Sequence, residues 1–120
     1  MQFMALIYND PSLEPAYGTP EFAAMMQGFF ALNEAMKTAG HMVSGEALKG
    51  IETATSLRIK GGKVETMDGP FAETKEHLGG YYVMDVPDLD TALKYAAMIP
   101  SAHYGTVEVR PLMDYNPAGN

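Results

Sequence analysis

The chain opens on an apolar run from Gln2 to Tyr8 that Asn9 and Asp10 bring to a stop. A short run with almost no polar position predicts a strand buried on both faces. Asp10 to Gly18 has loop composition, and Thr19-Pro20-Glu21 then reads as a helix start, with an N-cap threonine and proline in the first turn. From there Phe22, Met25, Phe29, Leu32, Met36 and Ala39 recur at steps of three and four. Met26 and Phe30 widen the stripe, and Gly40 supplies a left-handed stop. The pattern predicts a long amphipathic helix lying on a sheet.

The spacing then drops to two. Met42 to Glu46 predicts a second strand, and Leu57–Lys60 with Val64–Met67 flank Gly61-Gly62, a two-residue hairpin signal. Another strand is expected between Gly80 and Val86. Asp88 caps a second helix whose stripe is Leu89, Ala92, Leu93, Ala96 and Ile99, closed by Pro100. Thr106 to Arg110 alternates as a last strand with one covered face, and Asp114 to Asn120 reads as a tail. The order is strand, helix, strand, hairpin, strand, helix, strand. It predicts an α+β fold of the ferredoxin-like split βαβ kind with an inserted β-hairpin, one domain over residues 1–120. Two helices cover one sheet face, so the other needs a cover, and a homodimer would supply it.

Composition narrows the function. Eight Lys and Arg against 15 Asp and Glu give a net charge of −7, which disfavours nucleic acid as a partner. No apolar run is long enough to span a membrane, and the first residues lack the basic start of a secretion signal, so a cytoplasmic protein is expected. Without cysteine there is no disulfide framework, thiolate nucleophile or Cys-based metal site. His41, His77 and His103 share no ligand-like spacing, so no metal is expected. Gly61-Gly62 and Gly79-Gly80 lack phosphate-loop spacing, so no nucleotide cofactor is expected either. Ten methionines, among them Met25, Met26 and Met36 on one helix, suit adaptable packing better than metal ligation.

Residues 68–76 read Asp-Gly-Pro-Phe-Ala-Glu-Thr-Lys-Glu, followed by Leu78-Gly79-Gly80-Tyr81-Tyr82. This string resembles the signature of the YCII-related family, in its DGPF (DGPFAETKE) branch. The resemblance covers nearly the whole chain, up to Val107–Pro111. It implies a bacterial protein folded as a dimeric α+β barrel, with two sheets packed face to face. It also implies a genomic neighbourhood near sigma factors of the extracytoplasmic-function type. In the wider family the resemblance brings in a His and Asp pair, the His on the first long helix. This chain has no histidine between Thr19 and Gly40, so Asp68 would take another proton partner, His77 or Tyr82.

Gly69-Pro70 alone would make the turn, so the charge crowded around it asks for a second reason. Asp68 has two readings, a turn former or a general base at a strand end. Glu73 and Lys75 read either as a solvated pair or as a proton-moving carboxylate beside an anion-binding ammonium. Phe71 is expected to anchor the turn in the core. Tyr8 and Tyr82 are candidate pocket phenols, with Tyr81 and Tyr82 on opposite faces of their strand. Arg110 reads as an ion pair with Glu108 or as a clamp for a carboxylate. The candidate catalytic residues are therefore Asp68 and Glu73, and the candidate ligand-binding residues are Lys75, Tyr82, Arg110, Tyr8 and His77. Together they suggest a cofactor-independent enzyme moving a proton on a small acidic or carbonyl compound, as an isomerase or lyase would. The alternative is a non-catalytic ligand-binding or regulatory module.

Overall fold

The computed structural model describes residues 1–115; the predicted tail falls outside the described residues from position 116 onward. Strand β1 (Gln2–Asn9) leads to helix α1 (Pro20–Thr38) and strand β2 (Met42–Ala47). The hairpin β3 (Thr55–Lys60) and β4 (Lys63–Asp68) follows, then β5 (His77–Asp85), helix α2 (Leu89–Met98) and β6 (Gly105–Pro111). Short 3-10 turns at Ile51–Thr53 and Pro100–His103 precede β3 and β6. Among the described residues, four strands make one antiparallel sheet in the order β2-β5-β1-β6, while β3 and β4 pair only with each other. Setting the hairpin aside, this is the strand order of a ferredoxin-like α+β fold.

Local chemistry places the ends. Thr19 accepts a hydrogen bond from the Phe22 amide at 3.1 Å, Pro20 occupies the first turn, and Gly40 takes φ 73° just after the last turn. Asp88 caps α2 by accepting from the Thr91 amide at 2.8 Å. Gly61 and Gly62, at φ 59° and 78°, make the tight hairpin turn that needs two left-handed residues.

Both helices lie on one face of the sheet. Phe3, Ala5 and Ile7 of β1 and Tyr82 and Met84 of β5 meet Leu32, Met36, Ala92, Ala96 and Ile99 there. Strand β1 is therefore not buried on both faces as expected. Met4, Leu6 and Tyr8 point to the uncovered face and remain partly accessible, because no helix crosses that side. Strand β5 begins at His77, three residues earlier than predicted, since His77 and Leu78 extend the ladder opposite Asn9 and Tyr8 across a bulge. Phe71 is not a core anchor. It is 76% exposed, with the Arg58 guanidinium 5.5 Å from its ring centre, because the segment after β4 leaves the body of the domain. The radius of gyration, 16.7 Å, exceeds the roughly 13.6 Å of a compact 120-residue domain. The excess is consistent with a hairpin that stands away from the body.

Candidate functional site

The stripe on α1 is buried only in its second half. Leu32 and Met36 are inaccessible, whereas Met25, Met26 and Phe29 are partly open and Phe30 is 58% exposed. The first half of the helix instead roofs a cavity of about 540 Å³ over β2 and β5. Its walls are apolar and adaptable: Ile7, Met25, Met26, Phe29, Phe30 and Met42. Much of its floor is bare backbone. A Cβ on Gly80 would stand 2.7 Å from the Glu46 carbonyl oxygen, and one on Gly45 would stand 2.7 Å from Cδ1 of Tyr82. Gly79-Gly80 thus lets two strands approach closely under the cavity.

Few polar groups face this space. The Tyr82 hydroxyl donates to Oδ1 of Asn33 at 2.8 Å, tying the floor to the helix, and burial pushes the phenol above its usual pKa. Asn9 ends β1 at the cavity wall, and its Oδ1 is buried with no hydrogen-bond partner among the described residues. A buried acceptor of this kind pays a desolvation cost until a donor reaches it. Glu14, Lys37 and Ser101 complete the lining together with the Glu46 backbone, the Glu46 side chain being on the other sheet face, in register with Tyr81.

Asp10, immediately after Asn9, makes a second polar cluster. Its side chain is only 5% exposed and accepts from the Ser12 hydroxyl at 2.7 Å and the Ser12 amide at 2.9 Å. Lys75 reaches it from the charged segment, Nζ to Oδ2 at 3.6 Å, while the rest of that side chain lies in solvent. The Ser12 hydroxyl, then its amide, hold the Asp10 carboxyl below the ordinary carboxylate value; Lys75 adds to this and burial opposes it. In the sequence Asp10 reads only as a strand terminator. Its Asp-Pro-Ser spacing, which suits a side chain bonding to the amide two residues on, was the available signal.

The remaining candidates are dispersed in the protomer. Asp68 ends β4 and is exposed; the turn beside it is closed by Gly69, whose amide donates to Ala54, and by Ser56, whose hydroxyl donates to the Gly69 carbonyl at 2.8 Å. Glu73 is exposed. His77 pairs with Asn9 in the β5–β1 ladder. Tyr8 and Arg110 share the uncovered sheet face, where Nε of Arg110 donates to Oε2 of Glu108, a bond that raises the guanidinium pKa further. Of the seven candidates, Tyr82 alone lines the cavity. Among the described residues no group of three His, Asp or Glu side chains is placed to hold a metal ion, and no helix is long and apolar enough to cross a membrane.

The YCII-related domain matches residues 1–116, and the chain belongs to that family. An uncharacterised protein of Rhizobium meliloti (strain 1021) is 38% identical over 119 residues, covering 98% of this chain and 96% of its own length.

Proposed function

We propose that this protein binds a small molecule in the cavity between α1 and the β2–β5 floor. The observation that carries this reading is the buried Oδ1 of Asn9, without a hydrogen-bond partner among the described residues, at the wall of a mainly apolar space. The ligand has an apolar or aromatic body to fill the methionine and phenylalanine walls and a hydrogen-bond donor for Asn9. A carboxylate or carbonyl at its other end suits Lys37 and the Asn33 amide. The protein acts as a homodimer in which the uncovered sheet face, with Met4, Leu6, Tyr8 and Tyr81, is buried against a second copy.

A second reading adds chemistry at the same place. Lys75 tethers the charged segment to Asp10, next to Asn9. In this reading Asp68 takes a proton from the bound compound as general base and Glu73 is its partner, with Lys75 or Arg110 on the anion and no cofactor.

The test is thermal unfolding of wild type and Asn9→Ala against aromatic carboxylic acids, keto acids and phenols. A ligand at 100 times its Kd stabilises the folded state by about 2.7 kcal/mol. A compound that raises the wild-type midpoint and fails on Asn9→Ala supports the cavity as the site. A flat panel on wild type sinks the reading. For any compound that binds and is turned over, Asp68→Asn separates the two readings, because binding alone survives that change.

A further inference from the structure

Hairpin β3–β4 is amphipathic, and among the described residues its apolar face has no partner. Cross-strand register puts Leu57, Ile59 and Val64 on one side, and they are 64%, 69% and 63% exposed. Arg58, Lys60, Lys63 and Glu65 occupy the other side. An isolated two-stranded hairpin is marginal in water, and this one pairs with no other strand among the described residues. Something must cover that face for the hairpin to persist.

Charge identifies the cover. Residues 58–63 carry three of the eight Lys and Arg and no acid, which leaves five bases against 15 acids elsewhere in the chain. The hairpin end is therefore the basic part of an acidic molecule and is attracted to the body of another copy. The uncovered sheet face offers apolar surface to match Leu57, Ile59 and Val64: Met4, Leu6, Tyr8 and Tyr81 are partly accessible there. Its one base, Arg110, is already paired with Glu108.

We propose that β3–β4 is an intersubunit clasp, its apolar face of Leu57, Ile59 and Val64 seated on a second copy of this chain beside that copy's uncovered sheet. The inference rests on the homodimer proposed above and goes beyond it. Asp68, paired with Thr55 at the base of the hairpin, lies on the same side as Leu57, Ile59 and Val64, so its carboxylate faces the surface on which that side is seated. The charged segment and the partner's surface then form one composite site.

The experiment combines sedimentation over a dilution series with amide hydrogen exchange on wild type and on Leu57→Thr/Ile59→Thr/Val64→Thr. Threonine keeps the β-branched shape that suits a strand while removing apolar surface. In the wild-type dimer, amides of Thr55–Lys60 and Lys63–Asp68 become protected as dimer forms, in step with the sedimentation curve. The variant keeps β1 and β5 protection and weakens the dimer by about 100-fold or more, since each pair of chains loses six buried apolar side chains. Lys60→Glu/Lys63→Glu weakens it most at low salt. A wild-type dimer whose affinity and hairpin protection are unchanged by the threonine variant overturns the clasp but leaves the sheet-face dimer standing. A wild type that stays monomeric with fast-exchanging hairpin amides overturns both.

Discussion

Gly80→Ala tests the cavity floor directly. A Cβ at this position meets the Glu46 carbonyl oxygen at 2.7 Å and Cα of Ala47 at 3.3 Å, and both are backbone atoms of β2. Neither neighbour can swing away as a side chain would. Relieving the contact requires β2 to move outward by about half an ångström, which strains the ladder that Ala47 makes with Gly80. Overpacking of this kind costs about 1–3 kcal/mol. Unfolding a chain of this size changes entropy by roughly 0.25 kcal/mol/K, so each kcal/mol lowers Tm by about 4 °C and the expected loss is about 4–12 °C. Ligand affinity falls as well, because the floor between β2 and β5 widens. Circular dichroism melts of Gly80→Ala beside Gly62→Ala provide the assay. Gly62 has no atom within 4 Å of such a Cβ and costs only its φ of 78°, about 1 kcal/mol. If Gly80→Ala melts within 2 °C of wild type (about 0.5 kcal/mol by the same conversion), the close-approach argument is wrong.

Tyr82→Phe removes the hydroxyl bond to Asn33 and costs about 1 kcal/mol, with a larger relative effect on ligand binding than on stability; paired melts and titrations check this. Thr19→Ala strips the α1 cap at a cost of about 1 kcal/mol, read in urea unfolding. Leu32→Ala, at a fully buried position, costs about 2–5 kcal/mol in the same assay, and a smaller loss would mean that α1 is not fixed on the sheet. Acid sensitivity follows from Asp10 and Asp88. Both titrate lower in the folded state than their ordinary value of 3.8, so unfolding takes up protons. Their stabilisation is present above that value and is lost as pH falls through the depressed folded value. Melting temperature against pH shows this loss at the acid end, and Asp10→Asn makes the curve shallower.

Much of the secondary structure was legible because it is set by neighbours in sequence. The Thr19-Pro20 start, the Gly40 stop, the Gly61-Gly62 turn and the Asp88 cap depend on backbone conformations and hydrogen bonds spanning four residues or fewer. Spacings of two and three to four likewise report which face of an element is apolar. The charged string identified the family for the same reason, being contiguous.

Only tertiary structure decided where the functional groups meet. The apolar stripe of α1 does not say which half packs and which half roofs a cavity, since both have the same periodicity. Asn9, Tyr82 and Asn33 converge from two strands and a helix, and the distance between elements is a property of packing rather than of spacing. Phe71 shows the limit from the other side: an aromatic after Gly-Pro gains by burial, but the chain must first bring a surface to it. In the protomer the hairpin leads it away, and Lys75 finds Asp10, 65 positions earlier in the chain. Sequence determines which groups want a partner, and the fold determines which partner is within reach.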